Sequence, residues 1–130
     1  MQDYIIQSIQ EGIRLKENIL NNRQMLTDIE TVGNLIVQAL RQGHKVLLCG
    51  NGGSCADCEH ITGELMKGFL SRRPISPEKK AEMKRLNPDI GEDVLSKLQL
   101  AVPAIPLPSL TGLNSAFCND VDPSLVYAQE

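Results

Sequence analysis

Five consecutive residues, Gly50-Asn51-Gly52-Gly53-Ser54, hold the densest chemical potential in the sequence. Three glycines let a backbone turn sharply and approach a ligand closely, and a helix beginning there would offer unpaired N–H groups to an anion. Ser54 adds a hydroxyl donor or serves as the N-cap of that helix. An ordinary strand-to-helix turn with a serine cap would look the same. Neither G-x-G-x-x-G nor the phosphate-loop pattern is satisfied, and no lysine follows, so dinucleotide binding is set aside. Further on stand His60 and Glu64, four apart and therefore on one helix face. An imidazole beside a carboxylate can hold a metal or act as a base with its partner, although such pairs are also frequent on plain surfaces.

Two other groups carry possible chemistry. Cys55-Ala56-Asp57-Cys58 places a C-x-x-C at a helix N-terminus, where a thiol pKa is lowered, and with His60 it could form part of a zinc site. A second C-x-x-C and the flanks of thioredoxin-like proteins are missing. Asn119-Asp120 follows an apolar run and is expected at the C-terminal end of a second strand, where open α/β sheets bind ligands; the pair suits a turn equally well.

The elements that must position these residues follow from hydrophobic period. Ile5, Ile6, Ile9, Ile13 and Leu20 recur at helical steps, as do Met25, Ile29, Val32, Ile36, Ala39 and Leu40, so 1–43 reads as a helical hairpin broken at Asn21-Asn22 and closed by Gly43. Residues 45–49 form a short continuous apolar run, the pattern of a parallel strand buried on both faces. The helix after the glycine loop is expected over 55–69, with Ile61, Leu65 and Met66 facing the sheet. Strand, glycine turn and helix make the front of a βαβ unit. Residues 71–101, with Pro74, Pro77, Pro88 and a run of mixed charge, read as a helical insertion whose charges are solvated, including a short helix over 92–98. A second strand is expected over 102–107 despite Pro103 and Pro106, then a turn or short helix over 109–117, and a helix opening at Asp122-Pro123 with an apolar stripe from Leu125, Val126 and Tyr127.

The balance of 13 Lys and Arg against 16 Asp and Glu gives no basic face for nucleic acid. No apolar run approaches a membrane span and the start does not resemble a signal peptide, so the expected compartment is the cytoplasm. Cys49, Cys55, Cys58 and Cys118 are then expected as free thiols.

Cys49-Gly50-Asn51-Gly52-Gly53-Ser54, followed by His60 and Glu64-Leu65, resembles the sugar isomerase (SIS) domain of the phosphoheptose isomerases. The leading helices look like that family's N-terminal helices, which take part in tetramer formation, and Asn119-Asp120 is similar to its next substrate-contacting pair. The resemblance implies an α/β fold: a three-layer flavodoxin-like parallel-sheet domain preceded by the hairpin. It implies that Asn51, Gly52 and Gly53 contact a sugar phosphate such as sedoheptulose 7-phosphate, that Ser54 helps hold it, and that Asn119 and Asp120 also touch it. Glu64 would move a proton between C1 and C2 through an enediol. His60 and Glu64 would match two ligands of the zinc found in some members, and the assembly would be a homotetramer. Where the family has an arginine four residues after the glutamate, this chain has Gly68, with Lys67 and Arg72 nearby as substitutes. The family's second half, with a serine/threonine phosphate loop, a glutamine and a histidine, is not found within 1–130. Residues 44–130 are therefore expected to be the first half of a truncated domain, with an open sheet edge and an uncovered apolar face. Two other functions fit the same residues: a non-catalytic SIS protein that tetramerises and binds a protein partner, and a C-x-x-C redox or zinc module.

Overall fold

The computed structural model describes residues 1–130. The protein divides into two compact units, Met1–Gln42 and Gly43–Glu130. In the first, α1 (Gln2–Asn21) and α2 (Arg23–Arg41) form where the apolar period predicts them. The break is made by Asn22, whose extended backbone admits a side-chain oxygen that accepts from the N–H of Met25 at 3.1 Å. That is an N-cap, and it starts α2 one residue after α1 stops. Beyond Gln42 the backbone turns away through Gly43 at φ +83°, a left-handed conformation that glycine reaches without strain. No residue of either helix is buried.

The second unit runs β1 (Val46–Leu48), α3 (Gly53–Met66), α4 (Pro77–Leu86), α5 (Glu92–Lys97), β2 (Ala104–Pro106), a 3-10 turn (Leu107–Ser109), α6 (Thr111–Asp120), a second 3-10 turn (Pro123–Leu125) and α7 (Val126–Gln129). The two strands pair in parallel, Val46 with Ala104, Leu47 with Ile105 and Leu48 with Pro106, so the unit is α/β with a small parallel sheet. Each strand has one unpaired edge, which is where a proline such as Pro106 is tolerated. The strands are shorter than the apolar runs that predict them, and β1 is not covered on both faces: Leu47 is 56% exposed.

The inward face of α3 also differs from expectation. Cys58 and Thr62 are buried and Leu65 half-buried, whereas Ile61 and Met66 face outward. Positions 58, 62 and 65 form one stripe, and that stripe meets Ala104 of β2 and Leu107 in a core completed by Ile75, Leu95 and Val126. Hydrophobic type alone does not select this stripe, because the loop geometry sets the phase of the helix.

Residues 71–101 fold into α4 and α5 with the charged run turned to solvent. Ser76 caps α4 by accepting from the N–H of Lys79. The segment is tied to the end of α3 by Gln99, whose Oε1 accepts from the N–H groups of Gly68 and Arg73 at 3.3 and 3.2 Å, and by the Arg73 guanidinium, which donates to the carbonyls of Leu65 and Leu100. The backbone passes so near itself here that a Cβ on Gly68 would collide with the Ser71 carbonyl oxygen. An arginine at this position is sterically excluded, which accounts for the glycine.

Candidate functional site

From Leu48, β1 runs into a turn whose glycines are required for different reasons. Gly52 sits at φ +56°, ψ −121°, a region that side chains other than glycine rarely enter. Gly50 has an ordinary φ, but a Cβ there would lie 2.7 Å from the Ser54 Cβ and 2.9 Å from the carbonyl carbon and oxygen of Ser54. Gly53 is under no such constraint. The N–H of Ser54 donates to the Asn51 carbonyl and that of Cys55 to the Gly52 carbonyl, both at 3.1 Å. The backbone therefore opens α3 by itself. Gly52 is the N-cap and Ser54 lies inside the first turn, a correction to the serine-cap reading. The result is a helix start with exposed Gly53 and Ser54 and a free serine hydroxyl, the arrangement that suits an anion.

A groove of about 260 Å³ opens beside this turn. Gly50, Asn51, Gly52 and Cys55 form one wall; Pro108, the α6 residues Thr111, Asn114 and Ser115, and Tyr127 form the other. Thr111, Asn114 and Ser115 share a face by their three- and four-residue spacing, a sequence signal that the expectation of a mere turn or short helix over 109–117 leaves unused. The Tyr127 hydroxyl lies 2.8 Å from the Gly50 carbonyl oxygen and 2.7 Å from Asn51 Oδ1. No sequence signal links residues so far apart. Its neighbour Val126 is the buried member of the expected stripe, while Leu125 is exposed.

Of the residues singled out from sequence, Asn51 and Gly52 line the groove. Gly53 and Ser54 do not line it and lie in the first turn of α3. His60 and Glu64 lie further along α3, Glu64 about 15 Å from Ser54 along the axis at the α-helical rise. His60 is exposed. Glu64 is partly buried and pairs with Lys67 at 3.6 Å through Oε1, while its Oε2 is sequestered from solvent with no hydrogen-bond partner. Nothing joins Glu64 to His60 by hydrogen bond or ion pair. Arg72 turns elsewhere, to the Ser96 carbonyl at 3.4 Å. Asn119 and Asp120 are not at a strand end: β2 ends at Pro106, and the two residues close α6, outside the groove. α6 persists to Asp120 because nothing after Gly112 breaks it.

Structural zinc needs four ligands and catalytic zinc three with a water. His60 and Glu64 supply two, and no group of three or more His, Cys, Asp or Glu side chains gathers anywhere in the protein. The residues present do not by themselves fit the metal. All four cysteines are free, and burial pushes the Cys58 thiol up, with the neighbouring Cys49, Cys55 and Asp57 acting in the same direction. In a C-x-x-C redox pair the first cysteine is the low-pKa nucleophile, so a raised pKa at the second does not bear on that reading.

A parallel βαβ unit with a glycine-rich turn at the strand's carboxyl end is a ligand-binding frame of open α/β sheets. The sequence profile of the SIS domain matches residues 9–94, about two thirds of the chain, and the chain belongs to that family. The match contains the glycine turn, His60 and Glu64; Asn119, Asp120 and Tyr127 fall outside it. A phosphoheptose isomerase of Aneurinibacillus thermoaerophilus is 44% identical over 77 residues, 59% of this chain and 39% of the relative. One from Clostridium acetobutylicum is 40% identical over 77 residues, with the same shares. One from Thermodesulfovibrio yellowstonii is 28% identical over 130 residues, all of this chain and 51% of the relative. The chain spans about half or less of the length of these curated relatives. No helix is long and apolar enough to cross a membrane.

Proposed function

We propose that this protein binds a phosphorylated sugar at the 50–54 turn and supplies part of an aldose–ketose isomerase site, with sedoheptulose 7-phosphate as the substrate. The observation that carries the reading is the turn itself: two glycines that tolerate no side chain for separate reasons, a helix start beside them, and a groove alongside that Asn51, Thr111, Asn114 and Ser115 line. Asn51, Gly52, Gly53 and Ser54 bind the sugar phosphate by backbone N–H, carboxamide and hydroxyl donors. Glu64 is the base that carries the proton between C1 and C2. The Oε2 of Glu64 accepts from no group of the protein and is sequestered, so a substrate reaches it only if its cover moves. Asn119 and Asp120 reach a substrate only if it extends past the groove.

In this reading the protein acts in the cytoplasm, and the apolar faces of α1 and α2 assemble it as a homotetramer. A zinc ion held by His60 and Glu64 would need further ligands, and no step is assigned to it. Within the same family, a non-catalytic role in binding a protein partner is favoured by one observation, that neither His60 nor Glu64 lines the groove.

Calorimetry and turnover separate these. Ser54→Ala removes a donor to an anion, and sedoheptulose 7-phosphate should bind about tenfold or more weakly, the range of a charge-assisted hydrogen bond. Unchanged affinity sinks the loop assignment. Glu64→Gln should leave binding close to wild type and, in an assembly that turns over, reduce the rate by about 10²-fold or more. A wild-type rate places the base elsewhere and leaves the binding role alone.

A further inference from the structure

We propose that Tyr127 is a positioning residue for the glycine turn: its phenol holds the Asn51 carboxamide and the Gly50 carbonyl, so that the turn meets a sugar phosphate already in its binding shape. The inference deepens the phosphosugar reading and rests on it.

A glycine-rich turn is the segment with the most conformational entropy to lose on binding, and a ligand must order it unless something in the fold has done so. The backbone bonds of Ser54 and Cys55 fix the helix side of the turn. On the strand side, the only side chain that reaches it is Tyr127, across 77 residues to Gly50 and 76 to Asn51. Tyr127 can act as a clamp because its own backbone is anchored twice. Val126 beside it is buried in the core, and the 3-10 turn that leads into α7 is capped by Asp122, whose Oδ1 accepts from the N–H and the hydroxyl of Ser124 at 2.8 and 2.7 Å.

A phenol carries one proton, so it donates to one of its two oxygen partners at a time. When it donates to Asn51 Oδ1, that carboxamide is held by its carbonyl end and its NH2 group is left to donate into the groove. When it donates to Gly50, the strand end of the turn is pinned instead. In both states the hydroxyl, not the ring, does the positioning. Burial raises the phenol's pKa, so it stays protonated through neutral and mildly alkaline pH and remains a donor.

The test is a double-mutant cycle on the full-length protein, read by calorimetry with sedoheptulose 7-phosphate, using Tyr127→Phe, Asn51→Ala and both together. Tyr127→Phe should weaken binding about tenfold, the effect of one ordinary hydrogen bond, with a thermal midpoint near wild type. In the Asn51→Ala background the same change should have a smaller effect, since only the bond to the Gly50 carbonyl is left to lose. Equal weakening in both backgrounds would mean general loss of structure and would overturn the positioning role. So would wild-type affinity in Tyr127→Phe. A wild-type protein that binds no sugar phosphate overturns the phosphosugar reading and this inference with it. If Tyr127→Phe does not fold, Tyr4→Phe serves instead. The sequence has two tyrosines and no tryptophan, so that variant leaves Tyr127 as the sole strong intrinsic emitter. In that background Asn51→Ala should shift its emission without ligand, because it removes one partner of the phenol, and an emission unmoved by Asn51→Ala overturns the clamp.

Discussion

Gly50 and Gly53 sit three residues apart in one motif, yet the structure gives them different liabilities. A methyl at 50 would run into Ser54, both side chain and backbone, and the turn could admit it only by moving the start of α3. A methyl at 53 meets nothing within 4 Å, and the N–H that would face a ligand is retained. Gly50→Ala should therefore abolish sugar-phosphate binding measurably by calorimetry, while Gly53→Ala should bind nearly as wild type. Equal loss in both would mean that flexibility of the whole loop, rather than close approach at Gly50, is what the ligand needs. The glycine turn, His60 and Glu64 are legible in the sequence because their chemistry follows from type and local spacing. Tyr127 is not, since its contact to Asn51 is made across 76 residues and a tyrosine in an apolar stripe reads as packing. Ser54 is legible as a hydroxyl donor at a helix start, but not its place inside the first turn rather than at the cap, because a positive-φ glycine can take the cap position without any side-chain oxygen.

Among the elements, the helices are readable wherever a cap or a period marks them: Asn22 for α2, Ser76 for α4, Asp122 for the turn before α7. The boundary of α6 is not, and Asn119-Asp120 is misplaced with it, because Asn and Asp signal a turn only where no helix is already propagating. The Asp122 cap carries a pH dependence whose sign is fixed. The Ser124 hydroxyl and then its N–H hold the Asp122 carboxyl below the usual carboxylate range. A depressed pKa stabilises the folded form above the unfolded value, about 3.9, and that stabilisation is lost as pH falls through the lower folded value. Acidification from neutral to about pH 3 should therefore loosen the turn and α7, and the Tyr127 ring should become more mobile and more exposed, as proton NMR of that ring would report. Asp122→Asn keeps an acceptor and should flatten the response over the same range. Glu78 and Glu92 are also held low, Glu78 by its own N–H and then the Ser76 hydroxyl, Glu92 by Lys84, but they sit on α4 and α5 and should not move the Tyr127 signal. If Asp122→Asn titrates as wild type does, the cap is not what holds α7.

At the scale of the molecule the dominant fact is uncovered apolar surface. The protein exposes 10239 Å². Two separate compact proteins with the lengths of Met1–Gln42 and Gly43–Glu130 would together expose about 8,000 Å² by the usual size scaling, so the excess does not depend on how the units are arranged. Much of that surface is large and apolar: Ile5, Ile9, Ile13 and Leu20 on α1, Ile29 and Val32 on α2, and Leu47 and Ile105 on the sheet are each at least 40% exposed. Against this, Leu95 is the one large side chain that is fully buried. Apolar area in such amounts is driven out of water at roughly 25 cal/mol per Å², which strongly favours contact with another apolar surface. The isolated protein should therefore bind a hydrophobic dye at low concentration, and the dye signal per molecule should fall as concentration rises and self-association covers the same residues. Ile9→Lys and Leu47→Lys distinguish the two faces. If the hairpin is the contact, Ile9→Lys should hold the protein dissociated by sedimentation while Leu47→Lys associates as wild type does, and the reverse would assign the contact to the sheet. A dye-silent monomer with a single cooperative unfolding transition would show that these faces are covered within one molecule, and the tetramer reading of the hairpin would fall with that result.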